Sequence, residues 1–322
     1  SSTNYMKVAT DGTQVKVDAD ASKLRRSGFL VTGREATKDG SESDVMEVTP
    51  DSTRVYVSGG GSKSGFAVED DGDGSKVGSS KSGFAVTEKG ANGNAGYMNV
   101  TAANFLAGYD AGKTIKPQPL NKLGINNTVV GNNAASATIN SSDNVILGTN
   151  AAKSAGTMHR SIIIGKDAGV GSSESLTSDD IFIGTQAGYS NESGFYNVFI
   201  GNEAGYSNTS GGSNLFMGQG AGYANEESNN NVFLGKYAGN LHYEGDNNIA
   251  IGNGAAQRAE AMKNSIAIGT DAGLVSDGEN GIFIGNKAGY KNTTGSDNIF
   301  LGNSAGYTNT KGEQNVFVGN SA

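Results

Sequence analysis

Between residues 127 and 322 the apolar residues come in triplets: Val198-Phe199-Ile200, Leu215-Phe216-Met217 and Val232-Phe233-Leu234 are three in a row. Each is preceded by asparagine in most copies and followed by glycine, then by Ala-Gly-Tyr or a close variant, as in Asn298-Ile-Phe-Leu-Gly-Asn-Ser-Ala-Gly-Tyr307. The glycine closing each triplet marks twelve copies, at Gly131, Gly148, Gly165, Gly184, Gly201, Gly218, Gly235, Gly252, Gly269, Gly285, Gly302 and Gly319. Successive spacings are 17, 17, 19, 17, 17, 17, 17, 17, 16, 17 and 17 residues. A period this regular predicts a stacked repeat, with one short strand per turn of a parallel β-solenoid.

Side chains alternate across a strand, so the outer two residues of a triplet share one face and the middle one takes the other. A strand apolar on both faces is expected to be covered on both. The outer pair, such as Val198 and Ile200, is assigned to the inside of the coil. The middle residues then form a ridge, dominated by Phe182, Phe199, Phe216, Phe233, Phe283, Phe300 and Phe317, with Val129, Ile146, Ile163, Ala250 and Ala267 in the other copies. An exposed ridge of that length marks an interaction surface, and cyclic symmetry is the simplest way to close it. A second layer from the same chain is the competing explanation. Tyr189, Tyr206, Tyr223, Tyr290 and Tyr307 lie seven residues after a Phe, whereas Gln257 and Leu274 follow the two Ala positions; this pairing predicts Phe–Tyr ring contact. The marker glycines are expected at positive φ. The asparagines opening the strands are expected to form an amide ladder.

Residues 1–110 carry a looser repeat. Lys63-Ser-Gly-Phe-Ala-Val68 matches Lys81-Ser-Gly-Phe-Ala-Val86, and Val15-Lys16-Val17 alternates as a half-buried strand does. The region reads as short strands, again stacked as coils. Residues 111–126 hold Pro117 and Pro119, match neither repeat and form a junction. The division is therefore 1–110 irregular β-repeat, 111–126 junction and 127–322 twelve-copy array, all-β throughout.

Composition narrows the function classes. Fifty glycines with no cysteine and no tryptophan exclude thiolate metal sites and a disulfide framework. Residues 127–322 hold 17 acidic and 9 basic side chains, against 15 of each in residues 1–126. An acidic array does not suit nucleic acid. No apolar run reaches the roughly 18 residues of a membrane span. The chain opens without a signal peptide and stops within a repeat, and reads as a fragment of a longer exported protein.

Candidate chemistry is sparse. His159 and His242 lie in different coils and read as surface residues, so no metal is expected. Asp70-Asp-Gly-Asp-Gly-Ser75 looks like half a calcium loop but lacks the distal glutamate, and reads as an acidic turn. Carboxylates are scattered, no nucleotide-binding or nucleophile motif appears, and neither an enzyme nor a cofactor is expected.

The motif in Asn248-Ile-Ala-Ile-Gly-Asn-Gly-Ala255 and Asn264-Ser-Ile-Ala-Ile-Gly-Thr-Asp-Ala272 resembles the coil signature of trimeric autotransporter adhesin heads. That resemblance covers residues 127–322. It implies a left-handed parallel β-roll, three of which pack into a homotrimeric rod on a bacterial surface and attach to a host glycan or extracellular matrix protein. The family's shorter 14-residue period, and its alanine where this chain mostly has phenylalanine, imply larger coils here. Phage and injection-system fibres are expected to carry similar repeats, so a passive fibre shaft is the alternative.

Overall fold

The computed structural model describes residues 98–101 and 103–322 with their side chains, Pro119 excepted, and over residues 5–97 the backbone of the strands alone. The turn at 71–75 considered for calcium lies outside the described residues. The chain divides into two compact units, Ser1–Asp110 and Ala111–Ala322.

The first unit is an antiparallel meander. Tyr5–Met6, Gln14–Asp18, Gly28–Gly33, Ser43–Val48, Ser52–Gly59, Ser62–Asp70, Ser82–Gly90, Gly93–Val100 and Asn104–Ala107 each pair with the next. The expected strands are present, but they are not stacked as coils. The two matching segments instead run in opposite directions beside each other, Phe66 opposite Val86 and Val68 opposite Phe84. The connections between these strands are 2 to 11 residues long, against 13 or more between successive strands of the array's main sheet, and the shorter length suits a reversal of the chain.

The second unit is an all-β parallel solenoid. One sheet runs from Asn127–Val130 through Val145–Leu147, Ile162–Ile164 and Ile181–Ile183 to Val316–Val318, with every middle residue in register with the next. Turns complete each coil. The extra residues of the single 19-residue coil fall in the turn between Val170 and Ser175, just before a second small sheet in which Leu176–Ser178 pairs with Thr157–His159 of the preceding coil. Each marker glycine of the array has φ between 133 and 142°. From Gly131 to Gly302, an added Cβ would overlap the carbonyl oxygen of the next marker, so the position requires close approach as well as backbone freedom.

The phenylalanine ridge lies inside the coil. Phe182 is 1% exposed, and Phe199, Phe216, Phe233, Phe283 and Phe300 are 0% exposed within one chain, so they cannot form a subunit interface. Phe317, in the last coil, is half-buried on the same stack. This corrects the sequence expectation, and the reason is coil width. The interior holds one ring per coil, faced by the alanine column Ala187, Ala204, Ala221 and Ala238, and leaves no room for the outer pair. Rings stack on like rings: Phe182, Phe199, Phe216 and Phe233 have centroids 4.9–5.0 Å apart within 8° of parallel. Tyr189, Tyr206 and Tyr223 form their own stack at 5.0 Å. The two ladders are separate, and the Phe–Tyr contact expected from their pairing is not formed among these stacked rings.

The residue that varies with the core position is the one six places after it. Phe182, Phe199, Phe216, Phe233, Phe283 and Phe300 face Gly188, Gly205, Gly222, Gly239, Gly289 and Gly306, where a Cβ would press into the ring. Val129, Ile146 and Ala250 face Ala135, Ala152 and Ala256. Those alanines hold φ of 49–51°, so left-handed backbone alone does not demand glycine there. Gly169 and Gly273 follow Ile163 and Ala267 but lie against the next coil's Phe182 and Phe283, at 3.1 and 3.0 Å for an added Cβ.

One more copy precedes the twelve. Asn104-Phe-Leu-Ala-Gly108-Tyr-Asp-Ala-Gly112 spells the repeat, with Leu106 buried and Gly108 at φ 131°. The 23 residues to the next marker hide it from a search at period 17.

Gly205→Ala is expected to destabilise the fold by about 1–3 kcal/mol through overpacking against Phe199. Phe199→Ala alone should cost about 3–5 kcal/mol. The double variant, which copies the Ala250/Ala256 pair, should lose less than the sum; thermal melts of the four proteins read this coupling directly.

Candidate functional surface

Turning the Phe inward turns the outer pair outward. The two columns begin with Thr128 and Val130 and end with Val316 and Val318, and all their residues but Thr128 are Val, Ile, Leu or Met. None carries charge. These side chains are half-buried by their neighbours in the column, and Val130, Val145, Ile162, Met217 and Ile284 remain 37–44% exposed. The result is a flat apolar face about 50 Å long at roughly 4.8 Å per coil.

Beside this face runs the asparagine ladder. Asn197 Nδ2 donates to the Gly211 carbonyl at 2.9 Å, while its Oδ1 accepts the backbone N–H of Asn214 at 3.0 Å; Asn214 repeats this on Ser228 and Asn231. Each amide thus holds its own coil closed and the next coil in place. All these amides are buried, so their polar atoms must be paired.

Asp180 occupies a ladder position. Its Oδ1 accepts the Asn197 backbone N–H at 2.9 Å, but its buried Oδ2, standing where most other coils have an amide donor, has no partner. Burial is the first cause that pushes this carboxyl up to about 8; the hydrogen bond from Asn197 opposes it. At neutral pH it is therefore mainly protonated.

A second ladder runs through Asn191, Asn208 and Asn225, each Nδ2 donating to the preceding Oδ1 at 2.8 and 3.0 Å. His242 takes the next step. It is 0% exposed, which corrects its reading as a surface residue. Its Nδ1 lies 2.8 Å from the Ala259 carbonyl and its Nε2 2.8 Å from the Gly245 carbonyl, with the ring edge-on to Phe233 at 5.3 Å. Those contacts turn it away from Asn225, whose Oδ1 is left without a partner. Burial lowers its pKa, against the pull of the two carbonyls. His159 is half-buried in a separate coil.

The loop face is mostly polar; Ile139, Leu176 and Tyr243 are exposed singly, and Phe195 with Tyr196 is an adjacent exposed pair. Immediately before each ladder residue runs a column that begins Asn126, Asp143, Arg160, Asp179, Tyr196, Ser213 and Asn230. Arg160 grips Asp179 with two bonds, Nε to Oδ1 at 2.7 Å and Nη2 to Oδ2 at 2.8 Å. That bond raises the guanidinium pKa, with Tyr196 adding a smaller effect. Phe195 meets Tyr196 edge-to-face, centroids 5.4 Å apart at 87°.

Among the described residues, no group of three or more His, Asp or Glu is placed to hold a metal ion. No protein-family model, curated protein or solved structure matches the chain.

The Asp180 carboxyl makes a pH prediction with a definite sign. Below pH about 4 the folded and unfolded chains are both protonated, and its full contribution is present. From there to about pH 8 the unfolded chain ionises while the folded one keeps its proton. Stability should therefore fall as pH rises, by up to about 1.4 kcal/mol per unit. Asp180→Asn, which restores the amide, should be more stable at pH 7 and flatter across that window in melts taken at successive pH values.

Proposed function

We propose that the protein is a structural rod that associates side by side with copies of itself through the outer columns of its sheet, most simply as a homotrimer. The apolar outer columns carry this reading. With a width of about 12 Å, such a face offers on the order of 600 Å² per chain, so three chains meeting on one axis bury about 1,800 Å² in all, roughly 600 Å² at each pairwise contact. A second copy has the same pitch, so every coil meets an equivalent coil, and a cyclic arrangement closes without leaving an open patch. The interface proposed from sequence is thus retained in kind and moved from the Phe ridge to the outer pair.

The motif likeness to adhesin heads supports an extracellular rod on a bacterial surface that attaches to a host glycan or matrix protein, with repetition supplying avidity. A phage or injection-system fibre shaft is the second reading, favoured by the uniform Asn, Ser, Thr and Gly composition of most of the loop face. The two readings meet in a rod that is shaft along most of its length and binds locally.

Light scattering on the intact chain should give a mass near three times 32.8 kDa. Ile200→Asp with Ile251→Asp, both on the outer face, should shift this to the monomer while preserving the β circular dichroism spectrum. Phe216→Asp places a charge in the core and should unfold the coil instead. A monomeric unaltered protein, or outer-face variants that stay associated, would remove the basis for self-assembly.

A further inference from the structure

Repetition supplies a control for every position, because each column shows what the fold asks for there. The column before the ladder residue is left-handed in all twelve coils, from Asn126 at φ 60° to Gln314 at φ 57°. Eight of the twelve residues are Asn or Asp, the non-glycine types that enter this conformation most readily. Arg160 at φ 52° and Tyr196 at φ 61° are the two bulky exceptions. They stand two coils apart with Asp179 between them, and Tyr196 is 59% exposed. Phe195, 50% exposed, stands in a column otherwise held by residues such as Gly212, Asn229 and Asp246. Its ring passes close to Gly212, where an added Cβ would lie 3.8 Å from Cε2. Tyr237, another left-handed tyrosine, differs because its ring packs on Gly220 of the preceding coil and is half-buried. Left-handed backbone at a large side chain also occurs at Gln186, Glu203 and Lys287, so what sets this cluster apart is two adjacent, half-exposed aromatic rings close to an ion pair, combined with that backbone.

We propose that Tyr196, Phe195, Arg160 and Asp179 form a binding site for a neutral glycan residue. The chemistry is complementary. A pyranose presents a face of C–H groups to an aromatic ring and a rim of hydroxyls that both donate and accept. Tyr196 and Phe195 meet at a right angle, so they leave ring surface open. Of the five N–H donors of a guanidinium, two are used on Asp179 and the others remain for hydroxyl oxygens. Asp179 keeps lone pairs for hydroxyl hydrogens, and its charge matches that of Arg160, which favours a neutral sugar. Size separates this ligand from a protein partner: four side chains in polar surroundings fall well short of the roughly 800 Å² per side of a stable protein interface. The proposal deepens the local binding in the rod reading but does not require self-assembly.

The test is saturation-transfer NMR on the intact chain with the methyl glycosides of glucose, galactose, mannose and N-acetylglucosamine. At least one is expected to receive transfer, strongest on the ring C–H protons. Phe195→Gly with Tyr196→Ser copies Gly212-Ser213 of the next coil, so folding is not at risk, and should reduce transfer at least tenfold with solution mass unchanged. Tyr196→Asn should do the same while raising the melting temperature, since it relieves the left-handed strain. No transfer to any glycoside, transfer unaffected by the variants, or a variant that changes solution mass would overturn the proposal. The last result would make the cluster a subunit contact. A monomeric protein that still shows Tyr196-dependent transfer would sink self-assembly and leave the glycan site standing.

Discussion

Every coil rests on a near copy of itself about 4.8 Å away, and each column must therefore tolerate its own repetition. Only a few side chains do so when buried. Flat rings stack, as Phe199 does on Phe182 and Phe216 at 5.0 and 4.9 Å. Amides chain donor to acceptor, as Asn208 does to Asn191. Glycine lets carbonyls approach where any Cβ would collide. A like charge repeated at that distance inside the fold would be prohibitive, which is why Asp180 occurs once among amides and keeps its proton.

The same rule fixes what faces outward. Once ring, alanine and glycine fill the coil interior, the two flanking aliphatics of each strand have no place except the opposite face. That face is neither charged nor interrupted, and its two columns of branched side chains make it flat. Interior packing thus generates the surface on which the proposed self-assembly depends, without a separate interface motif. Residues that look redundant in the triplet do different work: the middle one holds a chain together, and the outer two suit contact between chains.

The solenoid, its period, the marker glycines and the amide ladder were legible because each is a repeated chemical choice. The direction of the triplet was misread because two apolar residues outweighed one when faces were compared. Size was the better guide. The alternation of Gly205 opposite Phe199 with Ala256 opposite Ala250 is written in the sequence and says that position 199 points into a space of fixed volume. The tyrosine column follows most of the same coils, so its pairing with phenylalanine is correlation without contact. The first unit was misjudged for another reason: repeated strands of similar sequence fit a hairpin meander as well as a coil, and alternation alone carries no direction. His242 could not be placed inside from its residue type, since only its register, 17 residues after Asn225, puts it on a buried ladder.

Departures from the repeat divide by burial, and the division carries the functional argument. His242 and Asp180 are buried, and each is partly accommodated, one by two backbone carbonyls and the other by a proton. Their effects remain in the fold, in stability and its pH dependence. Arg160, Phe195 and Tyr196 are exposed, and two of them hold a backbone conformation that Asp143, Asp179 and Ser213 supply in the adjacent coils. Arg160 still ties its coil to the next through Asp179, as Asn126 does through Asp143, but the rings of Phe195 and Tyr196 stay half open to solvent. In a solenoid where most positions answer to the coil above and below, a pair of adjacent aromatic rings turned to solvent beside an ion pair has its reason outside the coil.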